Sequence, residues 1–326
     1  MRTSKKSELA LVAAIGLAGA AGVTAWARPA AAFCRTSSCP SIGTSQVCTP
    51  QGPGDCGVPL FWARPCVGWS LQKDASAKVT FTQMEHIVTT AFHTWTTAAC
   101  PGGGAPQMSV VEAQPVLCAK HEYNQAAGNA NVILFHDAKW PYEGSPNTLA
   151  LTTVTYNLDT GEIYDADMEL NSADNQFTTG DSNVVFDLLS IVTHETGHFL
   201  GLAHSPDLDA TMFPAYTPMT TKLRTLSPDD VAGICAIYPS GKNACACDLT
   251  PRHGFSAKCA VDQKPADVSG ATPSDCASTS TTTGSGCSAT PASAPSVGRW
   301  ASVAAALGAL LLVVRRRRAR DLARRG

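Results

Sequence analysis

Eleven consecutive residues, beginning at His194, constrain this 326-residue chain more than any other stretch. They read His194-Glu195-Thr196-Gly197-His198-Phe199-Leu200-Gly201-Leu202-Ala203-His204. Residues four apart on an α-helix are offset by about 40° and about 6 Å, so His194 and His198 can offer both imidazoles to one zinc ion. A third ligand must come from beyond the helix. Gly201 can take a left-handed backbone conformation, break the helix and swing His204 back under the metal. Three protein ligands leave a fourth position open to water, whereas a structural zinc ordinarily takes four. Glu195, beside the first ligand, is placed to hold that water and take its proton. The pattern predicts one catalytic zinc on His194, His198 and His204, with Glu195 as general base and acid.

The helix carrying this motif is expected to run from residue 181 or 182 to about residue 200. Val184, Val185, Leu188, Leu189, Val192 and Phe199 cluster within roughly 140° of its circumference, while His194 and His198 point the other way. One side is core and the other lines a cleft. An earlier long helix is signalled by Thr82-Gln83-Met84-Glu85, the form of a capping box, with Met84, Ile87, Val88, Ala91 and Trp95 on one face. On that helix His86 and His93 project away from the apolar stripe and stand about 10 Å apart along the axis, too far to share one zinc. Strand-like runs lie at residues 108–111, 132–135, 149–156 and 163–170. The helix–strands–helix order predicts an α+β fold.

The two ends have a different character. Arg2, Lys5 and Lys6, an apolar run over 9–25 and Ala30-Ala31-Ala32 form the pattern of a secretory signal peptide cleaved before Phe33; a membrane anchor is the alternative reading. Near the C-terminus an apolar run over 300–314 is followed by Arg315, Arg316, Arg317 and Arg318. As a helix that run rises only about 22 Å against a hydrocarbon core of about 30 Å. It suits a transient sorting signal at least as well as a permanent stop-transfer anchor.

Composition then divides the chain into a signal peptide (1–32), a Cys-rich segment (33–66), the zinc-motif domain (67–239), a second Cys-rich segment (240–276), a Ser/Thr/Pro spacer (277–298) and the apolar, Arg-rich tail (299–326). Over 33–298, Lys plus Arg falls to 12 against 24 Asp plus Glu, a formal charge of −12. That argues against nucleic acid or an anionic membrane surface as a partner and is compatible with bound calcium, as it is with a merely soluble acidic surface. All 13 cysteines lie in the exported part, a density that means disulfides in an oxidising compartment. Without Cys287 there are 12, enough for six bridges; Cys100 with Cys118 is a plausible pair across a Gly/Pro-rich loop.

The motif from His194 to Ser205 resembles the signature of metzincin metalloendopeptidases, and Ser205 after the last histidine is the matrixin form. Ala210-Thr211-Met212-Phe213-Pro214-Ala215-Tyr216 is similar to the family's Met-turn. The resemblance implies that Met212 packs beneath the zinc and that the following segment, with Pro214 and Tyr216, walls the specificity pocket. Leu226-Ser227-Pro228-Asp229-Asp230-Val231-Ala232-Gly233-Ile234 resembles the matrixin closing helix. The implied fold is a twisted mixed sheet, mostly parallel, with two long helices and a smaller lower subdomain carrying His204 and Met212. Substrate is expected to lie extended along the edge strand at 149–156.

Three elements depart from the family pattern. Cys56-Gly57-Val58-Pro59 resembles the cysteine switch of matrixin zymogens but lacks its flanking Arg and Asp, so it reads as a disulfide cysteine. The family's structural-zinc histidines have no clear counterparts near His121, His136 and Asp137, which predicts a single zinc. Asp165, Asp167 and Glu169 alternate on one strand face and resemble the family's calcium-binding strand, an arrangement that a solvated edge also explains. Finally, Gly286-Cys287, the spacer-bounded apolar run and the Arg cluster resemble the MYXO-CTERM tail, which implies processing near Cys287 and display at, or release from, a bacterial cell surface. The sequence therefore predicts an exported zinc endopeptidase acting on extended polypeptides, attached to a membrane, transiently or permanently, through its tail. The rival is a surface adhesion or binding protein that keeps an inactive zinc site.

Overall fold

The structure is a computed structural model that describes residues 33–38, 57–143, 147–241 and 247–261. The expected signal peptide, Cys56, and everything from the spacer to the Arg-rich tail, Cys287 included, lie outside the described residues. In chain order the main elements are β1 (Cys66–Leu71), α1 (Phe81–Thr96), β2 (Ser109–Glu112), β3 (Val132–Phe135), β4 (Ala150–Tyr156) and β5 (Ile163–Leu170). The short pair β6 (Phe177–Thr178) and β7 (Phe186–Asp187), the helix α2 (Leu188–Phe199) and the helix α3 (Pro228–Ile237) follow. The fold is α+β, with a five-stranded mixed sheet ordered β2-β1-β3-β5-β4. All neighbours in it are parallel except β4, which runs antiparallel to β5 and forms one edge.

Two expected helix starts move. Thr80, not Thr82, caps α1: its hydroxyl accepts from the Gln83 N–H, and the Gln83 side chain reaches back to the Thr80 backbone. The apolar stripe itself is as expected, with Met84, Ile87, Val88, Ala91, Phe92 and Trp95 buried. The second helix starts at Leu188 rather than at residue 181 or 182, because Asp187 caps it by accepting from Ser190 N–H at 2.9 Å. Residues upstream therefore leave the helical register: Asn183 has φ +52°, and Val185, expected in the core, is 45% exposed. The strand β1 is not among the strand-like runs predicted above, although Val67, Trp69 and Leu71 alternate with Gly68 and Ser70 and enter the main core; the pattern covers only five residues.

Packing of α1 and α2 on one face of the sheet builds the main core. Trp69, Phe92, Trp95, Met168 and Phe199 are fully buried there, and Phe92 meets Phe199 edge-on at 5.0 Å. Burial of each such side chain stabilises by about 2–3 kcal/mol, with about 1 kcal/mol more for the aromatic pair. Trp95 Nε1 donates to Thr193 O at 2.8 Å, which fixes α1 against the motif-bearing helix.

Strand β5 is buried on both faces. Its inward residues Ala166 and Met168 belong to the main core, while Asp165, Asp167 and Glu169 point to the opposite face. That outer face is closed by a second apolar cluster of Val116, Ala130, Val132, Leu134 and Cys259, with Phe255 packed against it. The segment 247–261 is tied across it by Cys66–Cys247 and Cys118–Cys259, with Cα separations of 5.3 and 4.9 Å. Cys100 bonds Cys235 of α3 at a Cα separation of 5.6 Å, so the expected Cys100–Cys118 pair is replaced by two others. The reason is tertiary: Cys100 ends α1 beside α3, whereas Cys118 lies on the outer face under the C-terminal segment. Among the described residues no helix is long and apolar enough to cross a membrane.

Candidate metal centre

Everything at the site hangs from α2. His194, Glu195 and His198 are buried on that helix, which ends where Gly201 takes φ +96°. A Cβ at Gly201 would also approach Leu60 O to 2.8 Å, so both backbone angle and space require glycine. Beyond this turn the chain brings His204 back to the helix: its Nε2 is 3.2 Å from His198 Nε2, and its ring centroid is 5.3 Å from that of His194. The ligand atoms of His194, His198 and His204 lie within 4.8 Å of one another, a convergence that among the described residues is found only here.

Backbone carbonyls set the tautomers. His194 Nδ1 lies 2.6 Å from Thr211 O and His198 Nδ1 lies 2.9 Å from Leu202 O, so each Nδ1 carries the proton and each Nε2 presents a lone pair. His194 Nε2 is buried without a partner among the described residues. Burial, and then the neighbouring His198 imidazole, keep His194 neutral with its pKa pushed down to about 3; burial lowers His198 to about 4 and His204 well below the usual histidine range. The two lone pairs on His194 and His198 thus converge with the His204 ring nitrogen, a compact cluster of neutral nitrogen donors. The donor set fits zinc.

Glu195 is held by a residue that the motif does not contain. In the β4–β5 register Thr152 lies opposite Met168, on the core side of the sheet. Its hydroxyl donates to Glu195 Oε2 at 2.7 Å, while Glu195 Oε1 has no partner among the described residues. Burial pushes the Glu195 carboxyl up to about 8, and the Thr152 hydrogen bonds oppose that shift; a cation among the imidazoles acts in the same direction as Thr152. Only the period-two alternation of β4, projected onto a known β5, could have singled out Thr152 from sequence.

The Met-turn closes the site from below. A Cβ on Gly197 would fall inside van der Waals contact of Met212 Sδ and 2.9 Å from Trp95 Cζ2, so the glycine of the motif makes room for the methionine. Asp230 of α3 holds the turn by accepting from Thr211 N at 2.7 Å and Met212 N at 3.0 Å. Ser205 donates to Asp229 at 2.5 Å. Tyr216 is buried, with its hydroxyl accepting from Asp187 N at 2.8 Å and donating to Thr220 O at 2.6 Å; Pro214 beside it is half-buried. Arg224 grips Asp187 with two bonds of 2.7 and 2.6 Å, so the helix cap and the loop after the Met-turn are one unit.

The remaining predicted residues lie elsewhere. His86 and His93 are exposed on α1. Asp165, Asp167 and Glu169 do share a face, but β5 is an interior strand and all three are buried. Glu169 receives His136 Nε2 at 2.6 Å, His121 Nδ1 at 3.0 Å and the Tyr142 hydroxyl. Asp167 accepts from Val132 N at 2.7 Å and Glu122 N at 3.0 Å, and Asp165 Oδ1 has no partner among the described residues. Asp137 instead accepts from Ser76, Ala77 and Ser172.

The Matrixin family model matches residues 61–239. The chain is 38% identical over 107 residues to Metalloendoproteinase 1-MMP of Arabidopsis thaliana, covering 32% of this chain and 27% of that protein. It is 35% identical over 129 residues to Metalloendoproteinase 1 of Glycine max, covering 38% and 41%, and 35% identical over 109 residues to human Matrilysin, covering 33% and 38%. The chain thus spans less than half the length of each of these curated relatives. The family match runs from just before β1 to just past α3, with the histidine-bearing helix α2 inside it; since it covers more than half of the sequence, this chain belongs to the matrixin family.

Proposed function

We propose that this protein is an exported zinc-dependent endopeptidase that hydrolyses peptide bonds in extracellular polypeptides. One observation carries the reading: three buried imidazoles converge beside a buried carboxylate whose Oε1 has no protein partner. His194, His198 and His204 would hold zinc, which would supply Lewis acidity to the peptide carbonyl and to water. Glu195 Oε1 takes a proton from water as the water oxygen adds to the carbonyl carbon. The same carboxyl then gives that proton to the amide nitrogen as the C–N bond breaks, leaving a carboxylic acid and an amine, which exchange the remaining proton to become carboxylate and ammonium. Thr152 holds Oε2 throughout, so the carboxyl does not rotate away.

Substrate binding is assigned to β4, an edge strand whose outer backbone groups can pair with an extended chain. Pro214 and Tyr216 wall the adjoining specificity pocket in this reading. The exported location and the Cys287 sorting tail rest on the sequence pattern described above. The calcium reading narrows to Asp165 and Asp167, because Glu169 already carries three donors while Asp165 Oδ1 has none.

Glu195→Gln tests the assignment. It keeps all three imidazoles, so one zinc per chain is expected by elemental analysis, with cleavage of an unstructured protein reduced by about 10³- to 10⁴-fold. Cleavage at the wild-type rate would remove Glu195 from the mechanism. A wild-type protein that binds zinc yet cleaves no unstructured protein would favour the adhesion reading.

A further inference from the structure

Residues 33–38 precede the family match, yet they touch its centre. Arg35 bridges antiparallel to Leu202, within the Gly201–Ala203 connector between the two helical ligands and His204. Thr36 N donates to Gly201 O at 2.9 Å and Ala203 N donates to Cys34 O at 2.9 Å, so both ends of the connector are clamped. Thr36 O in turn accepts from Leu60 N at 2.7 Å, and Cys34 is disulfide-bonded, so this short stretch is itself held. Between the two clamps the Thr36 hydroxyl donates to Leu202 O at 2.9 Å. That carbonyl also accepts the Nδ1 proton of His198 at 2.9 Å. Its two lone pairs are thereby matched to two donors, one from a zinc-site imidazole and one from the N-terminal segment.

We propose that Thr36 is a positioning residue for the zinc site. Its hydroxyl fixes the direction of the Leu202 carbonyl, the carbonyl fixes the tautomer and ring plane of His198, and the His198 Nε2 lone pair is thereby aimed at the metal. The proposal rests on the zinc reading of the three histidines but not on peptidase activity. It also makes the N-terminal Cys-rich segment the outer support of a site whose ligands lie some 160 residues later. Partners that orient a metal-ligating histidine typically contribute 10- to 100-fold in metal affinity. Thr36 acts one bond further out, so its contribution should fall at or below the lower figure.

The test uses the full exported chain, stripped of metal and titrated with zinc alone against a chromogenic chelator. Thr36→Val keeps the shape and removes the hydroxyl; Thr36→Ser keeps the hydroxyl. The expected result is zinc affinity weakened about 3- to 10-fold in Thr36→Val and restored in Thr36→Ser. Cobalt(II) substitution supplies a second readout, with a ligand-field spectrum altered in the Val variant and unchanged in the Ser variant. Equal zinc affinity in wild type and Thr36→Val, or equal loss in both variants, overturns the proposal. If Thr36→Val does not fold, Thr36→Ser and Thr36→Ala carry the comparison: loss in Ala but not in Ser supports the hydroxyl, and equal behaviour removes it. A wild-type chain that takes up no zinc would instead sink the zinc reading itself, a result distinct from all of these.

Discussion

Thr152 donates a 2.7 Å hydrogen bond to Glu195 from a different element of the fold, across the interface between the edge strand and the metal-binding helix. The bond fixes one oxygen of the carboxyl and leaves Oε1 without a partner among the described residues. In the proposed function strand β4 would serve the site twice: among the described residues its outer edge pairs with no other strand, and its inward side chain holds Glu195.

The first prediction follows from that bond. A hydrogen bond to a charged group is worth about 1.5–3 kcal/mol, so Thr152→Val should lower kcat about 10- to 100-fold. KM and zinc stoichiometry should be unchanged, because neither the outer edge of β4 nor any imidazole is altered. Thr152→Ser should recover most of the rate. Steady-state kinetics on a peptide substrate decide it; an unchanged kcat in the Val variant would show that Glu195 needs no such support.

A second prediction concerns Gly197 and Met212. Any side chain at 197 collides with Met212, whose backbone is held by Asp230, and with Trp95, whose ring nitrogen is bonded to Thr193 O. Neither neighbour is free to retreat. Gly197→Ala should therefore lose about 1–3 kcal/mol in urea unfolding of the metal-free protein, although alanine is the better helix former. A variant as stable as wild type would mean that the Met-turn does not press on the helix.

The acid limb of stability should depend on Glu169. Burial alone raises its pKa, but hydrogen bonds from His121, His136 and Tyr142 outweigh burial and hold it down to about 2. A carboxyl lowered in the folded state stabilises fully above its unfolded value, near 4.3, and that stability is lost as pH falls toward the folded value. The window is thus about pH 4.5 to 2, and the loss amounts to about 3 kcal/mol at most. Melting temperatures of metal-free protein across this range should fall more steeply for wild type than for Glu169→Gln. Parallel curves would assign acid unfolding to other groups.

How much of this was legible in the sequence depended on whether the signal was local. The ligand spacing, Gly201 and the boundaries of β3 and β5 are local, and His194, His198 and His204 do converge. The start of α2 was misplaced because Val184 and Val185 continue the apolar stripe on paper, while a cap on Asp187 and its grip by Arg224 decide the start in space. Thr152 and Thr36 were silent for a related reason. A threonine reads as strand or turn chemistry until the partner carbonyl or carboxylate, 43 or 166 residues away, is known. The three acidic residues of β5 look like a solvated edge until the segment at 247–261 is seen to help close that face.

The last prediction concerns that closing segment. Cys118–Cys259 spans 141 residues and pins the C-terminal segment over Val116, Val132 and Leu134. Non-reducing peptide mapping should recover Cys118 with Cys259 and Cys100 with Cys235; recovery of a Cys100–Cys118 peptide would overturn both assignments. Replacing Cys118 and Cys259 together by Ser removes one long loop closure, which ordinarily costs about 2–5 kcal/mol. The melting temperature should therefore fall. Zinc affinity should stay close to wild type, because the bridge lies on the outer face of the sheet while the imidazoles sit beyond its inner face, on α2 and the turn after it. If the double variant instead loses zinc in proportion to stability, the outer segment and the metal centre are mechanically coupled and the two faces are not independent.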